Sequence, residues 1–223
     1  MAAPASYRKL SDLPETIPVF PLDGALLLPG AMLPLRIFEP RYLNMVDDVM
    51  SGERIIGMVQ TEADGDRRRP RLARVGCAGR ITSYSETDDG NYLIALTGVI
   101  RFGIGEELDR PTPYRQVRPD YAPFAGDLAP EADIEPFDRE RFTAILRGYL
   151  ERKGMGVEWD AVAASPPRAL IASLSMALPF EPGDKQALLE AETTAARRAA
   201  LEALLQLETA LGESDGDAPP SIQ

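Results

Sequence analysis

Histidine is absent from this chain, cysteine occurs once, as Cys77, and lysine occurs at three positions, Lys9, Lys153 and Lys185. Each gap removes a kind of chemistry. Without histidine no Ser-His-Asp triad can be assembled, and a cysteine nucleophile lacks its usual base. Zinc sites built on Cys and His are excluded within one chain. A lone cysteine cannot form an intramolecular disulfide, which fits a reducing compartment, and Cys77 reads as a small buried side chain. No Gly-Lys pair occurs, so the phosphate-cradling loop GxxxxGK[ST] is missing. No run approaches the roughly 20 apolar residues that span a bilayer, and the first residues lack the apolar centre of a secretory signal. The expectation is a cytoplasmic protein that acts away from membranes and carries no cofactor and no metal.

What is present points to a sizeable globular chain. It has 223 residues, 44% of them hydrophobic, with 35 acidic against 24 basic residues and a net charge of −11. That length supports one large or two small domains. The acidic balance disfavours a long polyanion as partner. One basic run stands against it, Arg67, Arg68, Arg69, Arg71 and Arg74. A solvated hairpin or loop is the ordinary reading of such a run. The sharper readings are a contact to RNA or an anchor for acidic peptide. The run contains no aromatic residue to stack on a base, which argues against RNA. The adjacent acidic pairs Asp47-Asp48, Asp88-Asp89 and Glu106-Glu107 do not read as acid–base pairs, because sequence neighbours in a helix or strand point different ways. Asp64 and Asp66 lack the spacing of a calcium loop.

Residues 17–52, IPVFPLDGALLLPGAMLPLRIFEPRYLNMVDDVMSG, organise the rest. Pro18, Pro21, Pro29 and Pro34 each lack a backbone donor and belong at strand edges, strand starts or bends. Leu33, Leu35 and Ile37 alternate with Pro34, Arg36 and Phe38, the period of a half-buried strand. Glu39-Pro40 then changes the period, with Pro at the first helical position. Leu43, Val46, Val49 and Met50 recur at helical spacing, and Gly52 is expected to close the helix in a left-handed conformation. Leu26, Leu27 and Leu28 form an apolar run that ends at Pro29-Gly30. It reads either as an exposed peptide-binding lip or as a buried connection, and the general burial of apolar runs favours the second.

This stretch resembles the start of the N-terminal, substrate-recognition domain of Lon proteases. The resemblance is carried by Pro18, Phe20, Pro21, Leu22, Pro29, Gly30, Leu33, Leu35, Ile37, Phe38, Glu39, Pro40, Arg41 and Tyr42. A second signature, GxxRF, is matched by Gly98, Arg101 and Phe102, and weaker similarity runs to about Leu211. The resemblance implies an α+β fold, with a β-rich, PUA-like pseudo-barrel lobe containing one helix followed by a helical bundle. It also implies a role in handling proteins. The AAA+ motor and Ser-Lys peptidase of Lon proteases are not matched in this chain. Neither Lys153 nor Lys185 sits in that family's catalytic context.

Further along, strands are expected at 54–60, 76–87, 92–104 and 114–121, with a hairpin turn at Asp88-Asp89-Gly90-Asn91 and a break or bulge at Gly98. A Pro- and acid-rich connector at 122–136 marks a boundary. Beyond it the pattern is helical. Asp138 is placed as a cap, Gly154 and Gly156 as a stop, and Ser165-Pro166 and Gly183-Asp184 as further starts. The expected division is 14–122 for the β-rich lobe, 136–212 for the helices and 213–223 for a disordered tail.

The functional expectation is a non-enzymatic protein- or peptide-binding module, a stand-alone relative of the Lon recognition domain that works in quality control or as an adaptor. Its partner would be unfolded or extended polypeptide, or one specific protein. Binding is placed at Leu26, Leu27 and Leu28 or in the cleft near the connector. The alternative is RNA binding through the basic run on a PUA-like fold. Glu39 and Arg101 are expected to include at least one buried, hydrogen-bonded charge, with Glu39 as one candidate partner for Arg101. We expect the purified 223-residue chain to show neither ATP turnover nor casein cleavage. ATP hydrolysis that survives repurification, or cleavage lost on one Ser substitution, overturns that expectation.

Overall fold

The structure is a computed structural model and describes residues 7–62, 70–129 and 137–215. Six strands form one sheet. They are β1 (Ile17–Pro21), β2 (Met32–Ile37), β3 (Ile55–Val59), β4 (Val75–Glu86), β5 (Tyr92–Leu108) and β6 (Arg115–Asp120). Their order is β2-β5-β4-β3-β1-β6, and β5 pairs with β6 as well. Five strands therefore close on themselves, while β2 lies against the first half of β5. Closure is possible because β5 has 17 residues. Its residues 92–97 pair with β2, and 103–108 pair with β6. The β1–β3 ladder is parallel and the others are antiparallel. The expected β-rich pseudo-barrel is what forms.

The barrel interior is filled from β1, β3, β4, β5 and β6 by Ile17, Val19, Ile55, Ala78, Ile100, Phe102 and Val117, with Leu13 and Tyr121 closing it. Phe102 sets the cross-section. A β-carbon at Gly57 would stand 2.7 Å from its ring, and one at Gly76 2.8 Å. The two glycines make room for one large aromatic, the small-against-large packing that dense cores need. Cys77 is buried on β4, as expected. Tyr7 and Leu10 pack against the same core, so the N-terminal arm is held from Tyr7 onward.

Local chemistry explains most element ends. Leu28-Pro29-Gly30-Ala31 is a tight turn with Ala31 N donating to Leu28 O at 3.0 Å and Gly30 at φ 78°. Pro at the second position and a positive-φ Gly at the third is the type II pattern. In β2, Leu33 and Leu35 are half-buried and Ile37 is buried, while Met32, Pro34 and Arg36 are exposed, as the alternation predicts. Helix α1 (Pro40–Met50) follows at once. Its end differs from expectation. Ser51 is the C-cap, and the left-handed residue is Arg54 at φ 61°, whose N donates to Val49 O. The Thr87–Asn91 turn closes with Gly90 at φ 74°. The β4–β5 register shifts between Ala78 and Gly79, opposite Gly98.

The helices are α2 (Arg139–Lys153), α3 (Trp159–Ala164), α4 (Pro167–Ala177), α5 (Pro182–Glu190) and α6 (Thr194–Asp215). The Asp138 carboxylate accepts from Arg141 N and caps α2, and Gly154 ends it in the left-handed region. The chain divides into two compact units, residues 1–131 with 176–190, and residues 132–175 with 191–223. In the first, α5 packs on β4. The grouping of every helix from 136 to 212 in one lobe therefore does not describe α5. In the second, α2 packs on α6, with Phe142, Leu146, Tyr149 and Leu150 buried on α2 and Leu201 and Leu205 on α6. Of the expected tail at 213–223, residues 213–215 belong to α6, and residues 216–223 lie outside the described residues.

Gly98 and Gly148 give opposite expectations. A β-carbon at Gly98 would stand 2.1 Å from Leu28 O, against a turn already fixed by Gly30 N to Gly98 O and Gly98 N to Ala31 O bonds of 2.9 Å each. Gly98→Ala should cost about 2–3 kcal/mol through forced backbone shift. Gly148 lies inside α2 with nothing within 4 Å of its β-carbon position. Gly148→Ala should add about 0.5–1 kcal/mol by helix propensity. Urea midpoints at constant slope measure both, and equal midpoints for the two variants contradict this packing.

Candidate functional site

The apolar run Leu26-Leu27-Leu28 is core and not an exposed lip. Leu26, Leu27 and Leu28 are each 1% exposed. Leu27 lies against Gly79, where a β-carbon would stand 2.5 Å from Cδ2. The chain reaches this position through the turn at Asp23-Gly24, where Gly24 has φ 74° and Ala25 N donates to Leu22 O. A buried connection is the correct reading, and these side chains are not available to a peptide.

The turn above them is held by polar groups from distant parts of the chain. Asp23 accepts from Thr61 N at 2.8 Å and from Thr61 Oγ1. Gly24 N donates to Gln60 Oε1 at 3.2 Å. Gln60 is 3% exposed, and its Nε2 donates to Pro182 O at 3.0 Å and to Gln186 Oε1 at 3.1 Å. Both amide hydrogens are thus used, as a buried amide requires. Gln186 Nε2 donates in turn to Val75 O and to Glu190 Oε1. Lys185 Nζ donates to Gly24 O at 2.8 Å and Met176 O at 3.0 Å, and burial holds its ammonium below the ordinary lysine value. The start of α5 is fastened to the 22–25 turn and the end of β3 by these amides and one ammonium.

Between them lies an open groove of about 660 Å³. Of its lining residues Gln60 and Ala73 are buried at the base, Glu62 is half-buried, and Arg74, Glu181, Pro182 and Glu190 are exposed around it. The Thr61–Leu72 bridge forms one wall, with Glu62 N donating to Arg71 O and Ala73 N to Gln60 O, each 2.9 Å. A second groove, of about 240 Å³ beside Arg80 and Thr82, is engaged internally. Arg80 donates to Tyr7 Oη and Glu53 O there, and Thr82 and Thr97 share a hydroxyl hydrogen bond.

Of the basic run, Arg67, Arg68 and Arg69 lie outside the described residues, as do Asp64 and Asp66. Arg71 is exposed and stands 3.7 Å from Glu62. Arg74 is exposed on the groove rim. The described part of the run therefore sits among carboxylates.

Arg101 is 6% exposed, but its partner is Asp127. The guanidinium donates to both Asp127 oxygens at 2.9 and 2.8 Å, and Arg101 N adds a third bond at 3.0 Å. Its Nη1 reaches Leu189 O at 3.2 Å, and the Phe124 ring lies 4.9 Å away. Glu39 is the N-cap of α1 and pairs with Arg41 at 2.8 Å on the surface. At the strand-to-helix corner it is the Glu39 backbone O that accepts, from Tyr42 N and Leu43 N, and Tyr42 packs on Phe20 with ring centroids 4.3 Å apart. The corner's Phe38 is 64% exposed, and Pro21 closes β1 opposite Val59.

The acidic pairs separate. Asp47 accepts from Tyr92 and Asp48 from Tyr114, while Glu106 pairs with Arg118 and Glu107 with Arg115. Among the described residues no group of His, Cys, Asp or Glu is placed to hold a metal, and no helix is long and apolar enough to cross a membrane. The side chains that build the groove, Gln60, Lys185, Gln186, Glu181 and Glu190, were not anticipated. The only sequence signal was a polar residue, Gln60, at the end of an otherwise apolar strand.

The family described as "ATP-dependent protease La (LON) substrate-binding domain" matches residues 16–206. A Lon protease of Flavobacterium johnsoniae is 31% identical over 143 residues, covering 63% of this chain and 16% of the relative. Lon protease 2 of Thermus thermophilus is 25% identical over 215 residues, covering 91% of this chain and 25% of the relative. The chain thus spans a quarter or less of these curated relatives. Among solved structures, a Lon N-terminal domain protein from Xanthomonas campestris matches at TM-score 0.58 and 25% identity, covering 86% of this chain and 97% of that one. The N-terminal domain of a Mycobacterium avium complex Lon protease matches at TM-score 0.59 and 19% identity, covering 87% and 98%, a likeness of fold.

Breaking the Arg101–Asp127 pair leaves a buried charge alone, so Arg101→Ala should cost about 3–5 kcal/mol. Asp127→Ala should cost a similar amount, and the double variant should show coupling of more than about 1 kcal/mol. Glu39→Ala should cost less than about 1 kcal/mol. Chemical denaturation decides. An Arg101→Ala midpoint equal to wild type contradicts the arrangement.

Proposed function

The chain belongs to the Lon substrate-binding domain family, and from that premise we propose that it binds unfolded or extended polypeptide without turning it over. It would act as the recognition part of a quality-control system or as an adaptor. The observation that carries this reading is the family match over residues 16–206. We assign the binding to one groove on the first unit. The groove bordered by the 22–25 turn, the Thr61–Leu72 bridge and α5 is open and anchored by buried hydrogen bonds. Grooves with an apolar floor and a few placed polar groups are favoured binding positions. The carboxylates around Arg71 and Arg74 weigh against RNA at this place, since they oppose a phosphate backbone.

Binding should be in the micromolar range, because ordering a flexible client offsets much of the contact energy. A fluorescently labelled polypeptide kept unfolded by alkylation is titrated against the protein, with the folded form of the same polypeptide as control. We expect saturable anisotropy with the unfolded form alone. Equal binding of both forms, or of neither, overturns the proposal. Single-stranded RNA that binds instead, with affinity collapsing steeply with salt, transfers the function to the nucleic-acid reading.

A further inference from the structure

We propose that the groove selects extended segments carrying Lys or Arg. The proposal rests on the polypeptide-binding reading above and names the client class at this site. The charge on the rim is unbalanced. Among the described lining residues, Asp23, Glu62, Glu181 and Glu190 face one cation, Arg74. Asp23 is engaged by Thr61. The other three carboxylates keep acceptor capacity. Among the described residues Glu62 is held by an exposed pair with Arg71 at 3.7 Å. Glu190 accepts from Gln186 through one oxygen. Glu181 is exposed and makes no side-chain hydrogen bond among the described residues.

The floor differs from the rim. Gln60 has both amide hydrogens committed to Pro182 and Gln186 and its oxygen to Gly24. It presents a fixed, satisfied surface, and Ala73 and Pro182 add aliphatic contact. A Lys or Arg side chain fits both layers. Its methylenes pack along Ala73 and Pro182 while its charged head reaches the carboxylates around them. An acidic or phosphate-bearing ligand meets repulsion at three sides of the rim. The net charge of −11 extends the same preference to long range by steering cationic segments inward. At about 660 Å³ the groove has room for a few side chains of an open segment.

The test uses three unstructured fluorescent peptides of equal length and equal apolar content, one bearing Lys and Arg, one neutral and one bearing Glu and Asp. Each is titrated into the full chain at low and at moderate salt. The same titrations are made with Glu62→Gln/Glu181→Gln/Glu190→Gln, in which Gln keeps the size of each side chain and one acceptor oxygen but removes the charge. Each exposed ion pair is worth up to a few-fold, so three together should favour the basic peptide over the neutral one by about tenfold. The triple variant should remove that margin, so that the basic and neutral peptides bind it equally. Arg74→Ala should tighten the basic peptide about two- to threefold by removing an opposing charge from the lining. Equal binding of basic and neutral peptides, or a basic preference that survives in the triple variant, overturns the selection while leaving polypeptide binding in place. Tightest binding of the acidic peptide, lost in Arg74→Ala, reverses it. If none of the peptides binds, this proposal falls together with the polypeptide-binding reading.

Discussion

Arg101 does the most to connect the described parts of the first unit. It lies on β5, the strand that closes the barrel, next to Phe102, which fills it. Phe102 points inward between Gly57 and Gly76, so Arg101 must point outward by the alternation of a strand. Outside, it meets Asp127 of the short 3-10 helix Ala122–Leu128 and Leu189 O near the end of α5. A guanidinium is suited to this position because its planar fork satisfies a carboxylate with two bonds and still has donors for a carbonyl. One side chain thus ties barrel closure to the elements that cover it. Gln60 and Lys185 fix the other end of the same helix to the 22–25 turn. The groove is the space left between these anchors.

The strands were legible because their patterns are local. β2 alternates, Asp88-Asp89-Gly90-Asn91 turns, and Gly98 interrupts β5 where the register shifts. The need for glycine at 98 is a contact with Leu28 O from a segment about 70 residues away, and no local pattern contains it. The sequence marked Arg101 as a candidate for burial through its apolar neighbour, but its partner could not be read. Asp127 lies in a Pro- and acid-rich stretch, where a surface connector is the ordinary interpretation. Glu39 was attractive because it sits in a dense signature. Its work is at a corner, where an exposed pair with Arg41 suffices.

The candidate site was less legible than the fold for the same physical reason. Leu26, Leu27 and Leu28 stood out as apolar, and apolar residues are what a core consumes. The groove is made by side chains with no pattern of their own, an amide at a strand end and glutamates at both ends of a short helix. The placement of α5 with the strands was hidden as well. Its apolar residues Leu188 and Leu189 are common to any packed helix. Lys185, which identifies its location through Gly24 O, is a residue normally assigned to solvent.

An exposed sheet edge must be kept from pairing with a second copy of the chain, and this fold shows how. β2 is the free edge of the sheet, the usual template for unwanted pairing. Gly98 N donates to Ala31 O, one residue beyond the Met32–Thr97 pair, so that pair is of the non-hydrogen-bonded kind and its alternation continues to Pro34–Ala95. The backbone nitrogen of Pro34 therefore faces outward, and the free edge loses a donor at its middle. Arg36 stands beside it, paired with Asp89 at 2.7 Å on the surface. Met32, Phe38 and Leu93 can then remain exposed near this edge without a continuous ladder for a second copy to join. The net charge of −11 adds repulsion between copies. On the proposed reading, the carboxylates that repel a second copy are also the ones that would draw in a cationic segment.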